Sequence, residues 1–314
     1  MRTIKKVASH IFIDGFGGMT QGLFATLIIG TMIQQIGLLI GSSTGNVIYL
    51  LGKAAAALTS AGIGVGVAVK YGESPLVTVS AAVAAMVGGY AGKITGGTFF
   101  VDGNAVLAGP GEPLGAFIAA FAGITCGHLV SGKTKVDIIV TPVITIGAGS
   151  VVGLLVGPPI SQMMTGLGSI INWATEQRPF IMGIVVSVVM GMVLTLPISS
   201  AALGIILNLS GLAAGAATIG CCCNMVGFAV ASYRENKFGG LVAQGLGTSM
   251  LQVPNIMRHP LIWLPIIFSS AILGPVSTIL ANMQNNATGS GMGSAGLVGP
   301  VSYTHLRAHE TLMN

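Results

Sequence analysis

Gly109-Pro110-Gly111-Glu112-Pro113 sets one carboxylate between residues that bend the backbone. Glycine admits positive φ and proline fixes its own φ, so this run favours a turn over a continued helix. A carboxylate in apolar surroundings is costly and usually retained for function. Glu112 can accept hydrogen bonds from the hydroxyls of a polyol. It can equally cap the helix that begins at Pro113, since proline suits the first helical turn. Both readings stand on the residues alone. Asp102 and Asn104 share the segment and add hydrogen-bonding groups, although Asp102-Gly103 also reads as a polar turn. His259, in Arg258-His259-Pro260, opens a later apolar stretch. There it could hold a hydroxyl, pass a proton or sit at the water interface. Glu112, Asn104 and His259 are the candidate binding residues.

Other chemistry finds little support. Asn224, Gln244 and Gln252 are amides in apolar surroundings, suited to sugar hydroxyls or to bonds between helices. Gly127 to Thr134 fits the G-x-x-x-x-G-K-T pattern of phosphate-binding loops. That loop needs a buried strand before it and a helix after it. Here an apolar helix precedes it, and a short basic loop accounts for Lys133, Lys135 and the neighbouring His128. Cys221, Cys222 and Cys223 are consecutive and project in different directions from a helix, so they cannot converge on one metal. We expect no catalytic residue, cofactor or metal on this chain.

The elements that position these groups belong to a membrane. Of 314 residues only 7% are charged and 52% are hydrophobic, and the mean hydropathy is +0.86. Soluble domains carry about 25% charged residues. No Asp, Glu, Lys or Arg occurs from Gly15 to Gly52, Ile138 to Thr175 or Pro179 to Tyr233. A crossing helix needs roughly 20 apolar residues. The expected fold class is an all-α polytopic integral membrane helical bundle of about eight spans, near 17–41, 46–69, 75–93, 113–131, 138–157, 179–197, 206–232 and 260–282. The net charge of +5 is spread over small clusters, Arg2 with Lys5 and Lys6, Lys133 with Lys135, and Arg234 with Lys237. Such clusters fit cytoplasmic loops and are too sparse for nucleic-acid binding. No cleavable leader is evident.

The 48 glycines are partly periodic. Gly37, Gly41 and Gly45, and again Gly149, Gly153 and Gly157, recur every four residues, a spacing that lets a neighbouring helix approach closely. Between the spans, Lys93 to Gly115, Pro197 to Gly204 and Gly239 to Pro254 are too apolar for ordinary loops and too broken for helices. Irregular backbone at membrane depth is tolerated where protein or a water-filled cavity surrounds it, and transporters place substrate there. From Val301 the composition shifts abruptly to VSYTHLRAHETLMN. This tail resembles translated library adapter. We therefore expect a membrane domain over 1–300, truncated at its C-terminus, and a non-native tail over 301–314, a natural polar tail being the alternative.

Gly109 to Pro113 resembles the G-x-x-E-P element of sugar-specific phosphotransferase-system IIC permeases. FIDGFGGMTQGLFATLIIGTMIQQIG (12–37) and GCCCNMVGFAVASYRENKFGGLVAQGLGTSMLQVPNI (220–256) are similar to the IIC-like branch that includes the toxin regulator PfoR. The resemblance covers essentially 1–300. It implies a homodimeric permease subunit of the bacterial inner membrane that carries sugar across the bilayer for phosphorylation by a IIB partner supplied by IIA. It also implies a re-entrant-loop glutamate on the sugar, which maps to Glu112. No phosphorylated residue is expected on this chain. The Glu-Pro element lies in the first half here, whereas better-known IIC proteins carry it nearer the C-terminus. A membrane-embedded regulator with the same fold is the alternative.

Overall fold

The computed structural model describes residues 10–107 and 109–313. The basic cluster Arg2, Lys5 and Lys6 lies outside the described residues. The chain divides into two compact units, one over residues 1–34 and 42–163, the other over 35–41 and 164–314. Each is described by itself.

α1 (Ile13–Ile40) opens the fold, with its residues up to 34 in the first unit. Gly41 (φ +61°) ends it, and Ser42 caps α2 (Ser43–Ala57) by accepting a hydrogen bond from the Gly45 N–H at 3.3 Å. Gly37, Gly41 and Gly45 therefore do not share one helical stripe: the middle glycine is the stop between two helices. A bend of 53° separates α2 from α3 (Thr59–Lys70). Then follow α4 (Pro75–Gly89), begun by a Ser74 cap with proline behind it, and the short α5 (Ala91–Thr95). A two-stranded hairpin, β1 (Phe100–Val101) and β2 (Asn104–Ala105), leads through extended chain to α6 (Pro113–Val130). The long α7 (Asp137–Thr175) starts in this unit and passes into the second.

Close helix contact in the first unit depends on the absence of side chains. The expected stripe Gly149, Gly153 and Gly157 is the face of α7 that packs there. A Cβ at Gly149 would stand 2.6 Å from the Ala119 carbonyl oxygen, one at Gly153 2.8 Å from the Gly88 Cα, and one at Gly157 2.7 Å from the Ala91 Cβ. Backbones in contact gain dispersion that lipid tails cannot match.

The second unit continues with α8 (Pro179–Thr195), the short α9 (Ser200–Ile206) and α10 (Gly211–Ala231). Next come α11 (Tyr233–Val242), interrupted at Lys237 (φ 51°), a π-turn, a 3₁₀ turn, and α12 (Val253–Arg258). The apolar α13 (Pro260–Leu280), the single turn α14 (Ala287–Ser290) and α15 (Val298–Met313) complete it. Residues 289–296 are buried although half of them are irregular, with Gly293 and Gly296 at positive φ. Ser200 donates to the Gly291 carbonyl at 2.6 Å and Thr218 to the Gly289 carbonyl at 3.3 Å, so backbone groups here are satisfied by small hydroxyls.

Each of the eight expected spans coincides with a helix. Five are long and apolar enough to cross a membrane, and the bent pair α2–α3 makes a sixth. The other two, α4 and α8, are shorter apolar helices. Leu155 (70% exposed) and Ile272 (64%) lie on the outer faces of such helices, as lipid-facing residues do. The fold is an all-α polytopic membrane bundle.

Candidate functional site

The Glu112 loop is built from three elements of the first unit. At Gly109 (φ +82°) and Gly111 (φ +77°) the chain takes conformations that L side chains disfavour. At Gly111 there is also no room, since a Cβ would collide with the Ser60 hydroxyl and stand 3.1 Å from the Gly89 carbonyl oxygen. The Glu112 N–H donates to that same carbonyl at 2.7 Å, tying the loop to the end of α4. The Ser60 hydroxyl, in the first turn of α3, donates to the Pro110 carbonyl at 3.0 Å. Tyr90, just past α4 and 1% exposed, donates its hydroxyl to the Gly109 carbonyl.

Glu112 is the residue before the first turn of α6, and its backbone carbonyl accepts from the Ala116 N–H at 3.0 Å. Its carboxylate makes no capping hydrogen bond to the helix. Of the two readings open in the sequence, side-chain capping is therefore not what this geometry shows. The side chain is half-buried.

Asn104 sits on β2, opposite Val101, and is exposed. Asp102 (φ 50°) and Gly103 (φ +76°) form the two central residues of the hairpin turn, both with positive φ. The Asn104 amide donates to the Asp102 carbonyl at 3.3 Å, so this side chain serves the turn. The hairpin is held to the loop's support by Phe99, whose ring centroid lies 5.4 Å from that of Tyr90. Lys93 places its ammonium 5.4 Å from the Tyr90 ring centroid. Near the other end of α6, His128 pairs with Glu73, Nδ1 to Oε1 at 3.0 Å.

His259 belongs to the second unit. It follows the last turn of α12, is exposed, and its N–H donates to the Asn255 carbonyl at 2.8 Å. The three amides are committed within this unit. Buried Asn224 donates to the Gly220 carbonyl at 3.1 Å and the Ser270 hydroxyl at 3.2 Å. Its oxygen accepts from Thr195 at 3.1 Å and from the Trp263 N–H at 3.0 Å. Gln252 donates to Gln244 at 3.0 Å, which donates to Ser232 at 2.8 Å. Of the two uses open to these amides, bonding between elements is the one observed. The three adjacent cysteines lie on α10, and no group of metal-binding side chains occurs among the described residues.

Tyr90 and Ser60 were not singled out in the sequence. One signal existed for Tyr90: a buried tyrosine needs a partner for its hydroxyl, and this one ends the apolar run of α4.

Comparisons with curated proteins and with solved structures return no match. A family described as "Phosphotransferase system, EIIC" matches residues 13–313. That match takes in the Glu112 loop and every candidate span, and it agrees with the resemblance to phosphotransferase-system IIC permeases. The chain is a membrane component of a phosphotransferase system and belongs to the EIIC family.

Proposed function

We propose that the chain is the sugar-translocating permease subunit of a phosphoenolpyruvate-dependent phosphotransferase system in the bacterial inner membrane. It acts as a homodimer and delivers its sugar to a IIB partner charged by IIA. The phosphoryl group is carried by those partners, and the present chain supplies the path. Glu112 carries the reading at the level of residues. It is a half-buried carboxylate on a loop whose backbone is anchored at Gly109, Pro110 and its own N–H. A carboxylate held in this way accepts hydroxyl hydrogen bonds without first losing loop entropy, which favours binding. Asn104, on the adjoining hairpin, is the nearest amide in sequence able to add a hydroxyl contact. The absence of any charge between Pro179 and Tyr233 suits a neutral polyol better than an ion-coupled substrate.

The test is thermal unfolding of the purified protein across a panel of sugars, for wild type and Glu112→Gln. A ligand that binds the folded state raises its apparent stability. A hydrogen bond to a charged group contributes about 1.5–3 kcal/mol, so Glu112→Gln should weaken the responding sugar by roughly 10- to 100-fold. A well-folded wild type that no sugar stabilises would overturn the transport reading and favour a membrane-embedded regulator.

A further inference from the structure

We propose that Tyr90, together with Ser60, is the positioning residue of the Glu112 loop, its single hydroxyl proton shared between two alternative acceptors. A phenol donates one hydrogen bond. Two carbonyls lie within its reach: Gly109 of the loop, and Ala57 at 3.4 Å. Ala57 is the last residue of α2, at the 53° bend into α3. The closer Gly109 carbonyl takes the proton in this structure. Rotation of the hydroxyl toward Ala57 would release the Gly109 carbonyl and tie Tyr90 to the bend instead.

The ring itself is held still. Tyr90 is 1% exposed, packed against Phe99 and beneath the Lys93 ammonium. Ser60, fully buried in the first turn of α3, holds the next carbonyl, Pro110. The Gly89 carbonyl, adjacent to Tyr90, holds the Glu112 N–H. Anchors at 109, 110 and 112 therefore fix the backbone that aims the carboxylate, and two of the three are side-chain hydroxyls. The hydroxyl makes this device a two-position clasp between the loop and the broken helix. Its effect on sugar rests on the reading of Glu112 above; the clasp itself does not.

Hydrogen exchange of the full chain in detergent tests it, with wild type, Tyr90→Phe and Ser60→Ala. Removing one neutral hydrogen bond should speed exchange of the backbone amides in residues 106–116 by about two- to tenfold, with peptides from α8 and α10 unchanged. Unchanged exchange in 106–116 in both variants overturns the proposal. A rise spread over all peptides does so too, since it marks a purely structural role. Sugar affinity gives the second readout. Tyr90→Phe should weaken binding in wild type and add less than twofold in a Glu112→Gln background, because it acts through that carboxylate. Full additivity would refute positioning. If no sugar stabilises wild type, the transport reading fails, while the exchange comparison still decides the clasp.

Discussion

Asn224→Leu isolates what one amide contributes to the second unit. The substitution keeps side-chain size close while removing four hydrogen bonds: to Gly220, to Ser270, from Thr195 and from Trp263. The loss is not four times one bond, because most partners have a second connection. Thr195 also bonds Ser249 at 2.9 Å and the Gly191 carbonyl at 3.2 Å, and Ser270 also donates to the Ile266 carbonyl at 3.1 Å. Among the described residues, the Trp263 N–H has no other acceptor. The cost is therefore set mainly by that one orphaned donor. A buried unsatisfied group costs about 1–3 kcal/mol, and the half-buried position of Trp263 places this one at about 1–2 kcal/mol. Cross-helix hydrogen bonds in membranes average only about 0.6 kcal/mol, so the orphaned donor outweighs any one of the lost bonds. The assay is a denaturant titration in detergent of wild type, Asn224→Leu, Trp263→Phe and the double variant. The double variant should be more stable than the sum of the singles predicts by about 1 kcal/mol, since it leaves no orphan. Additive losses, or a neutral Asn224→Leu, would refute this reasoning.

Two further outcomes follow from the structure. Gly153→Val should cost about 1–3 kcal/mol by forcing α7 off α4 and α6, whereas Gly147→Ala, with nothing within 4 Å of its added methyl, should be neutral or gain up to about 1 kcal/mol of helix propensity; the same titration compares them. The Tyr71 phenol, just beyond α3, is pushed up to about 12 by burial and then by the nearby Asp14 carboxylate. A phenol that holds its proton more tightly folded than unfolded makes stability fall as pH rises from about 10 through about 12, and Tyr71→Phe should remove that part of the fall along with the late phase of the phenolate absorbance titration.

Much of the architecture was legible because a bilayer leaves few alternatives. Charge-free stretches long enough to cross it had to become helices, and each does. The stripe at Gly149, Gly153 and Gly157 was read correctly because all three lie on one continuous helix. The same spacing at Gly37, Gly41 and Gly45 misled, since a glycine that opens a groove and a glycine that ends a helix with positive φ look identical in sequence. At Glu112 the residues left capping and ligand binding open; the structure shows no side-chain cap there, and ligand binding stays a proposal. Asn224 could not be assigned because its partners come from two distant helices: Thr195 on α8, and Trp263 and Ser270 on α13. Residues 289–296 carried no reading at all. Their glycines and serines look like a solvent loop, and nothing local announces that small hydroxyls satisfy a buried backbone. Tyr90 was hidden for a related reason, as both its acceptors are carbonyls, which every residue has.

The length of α7 bears on how many times this chain crosses its bilayer. Its 39 residues include Pro142, Pro158 and Pro159 inside the helix, and a single crossing needs only roughly 20. The hydrocarbon layer is about 30 Å thick. Roughly half of α7 is therefore more than one crossing uses, and the adjacent Pro158 and Pro159 are where the helix can change direction. Helix count and crossing number are then different quantities for this protein, and the side on which each later loop emerges depends on where along α7 the membrane ends.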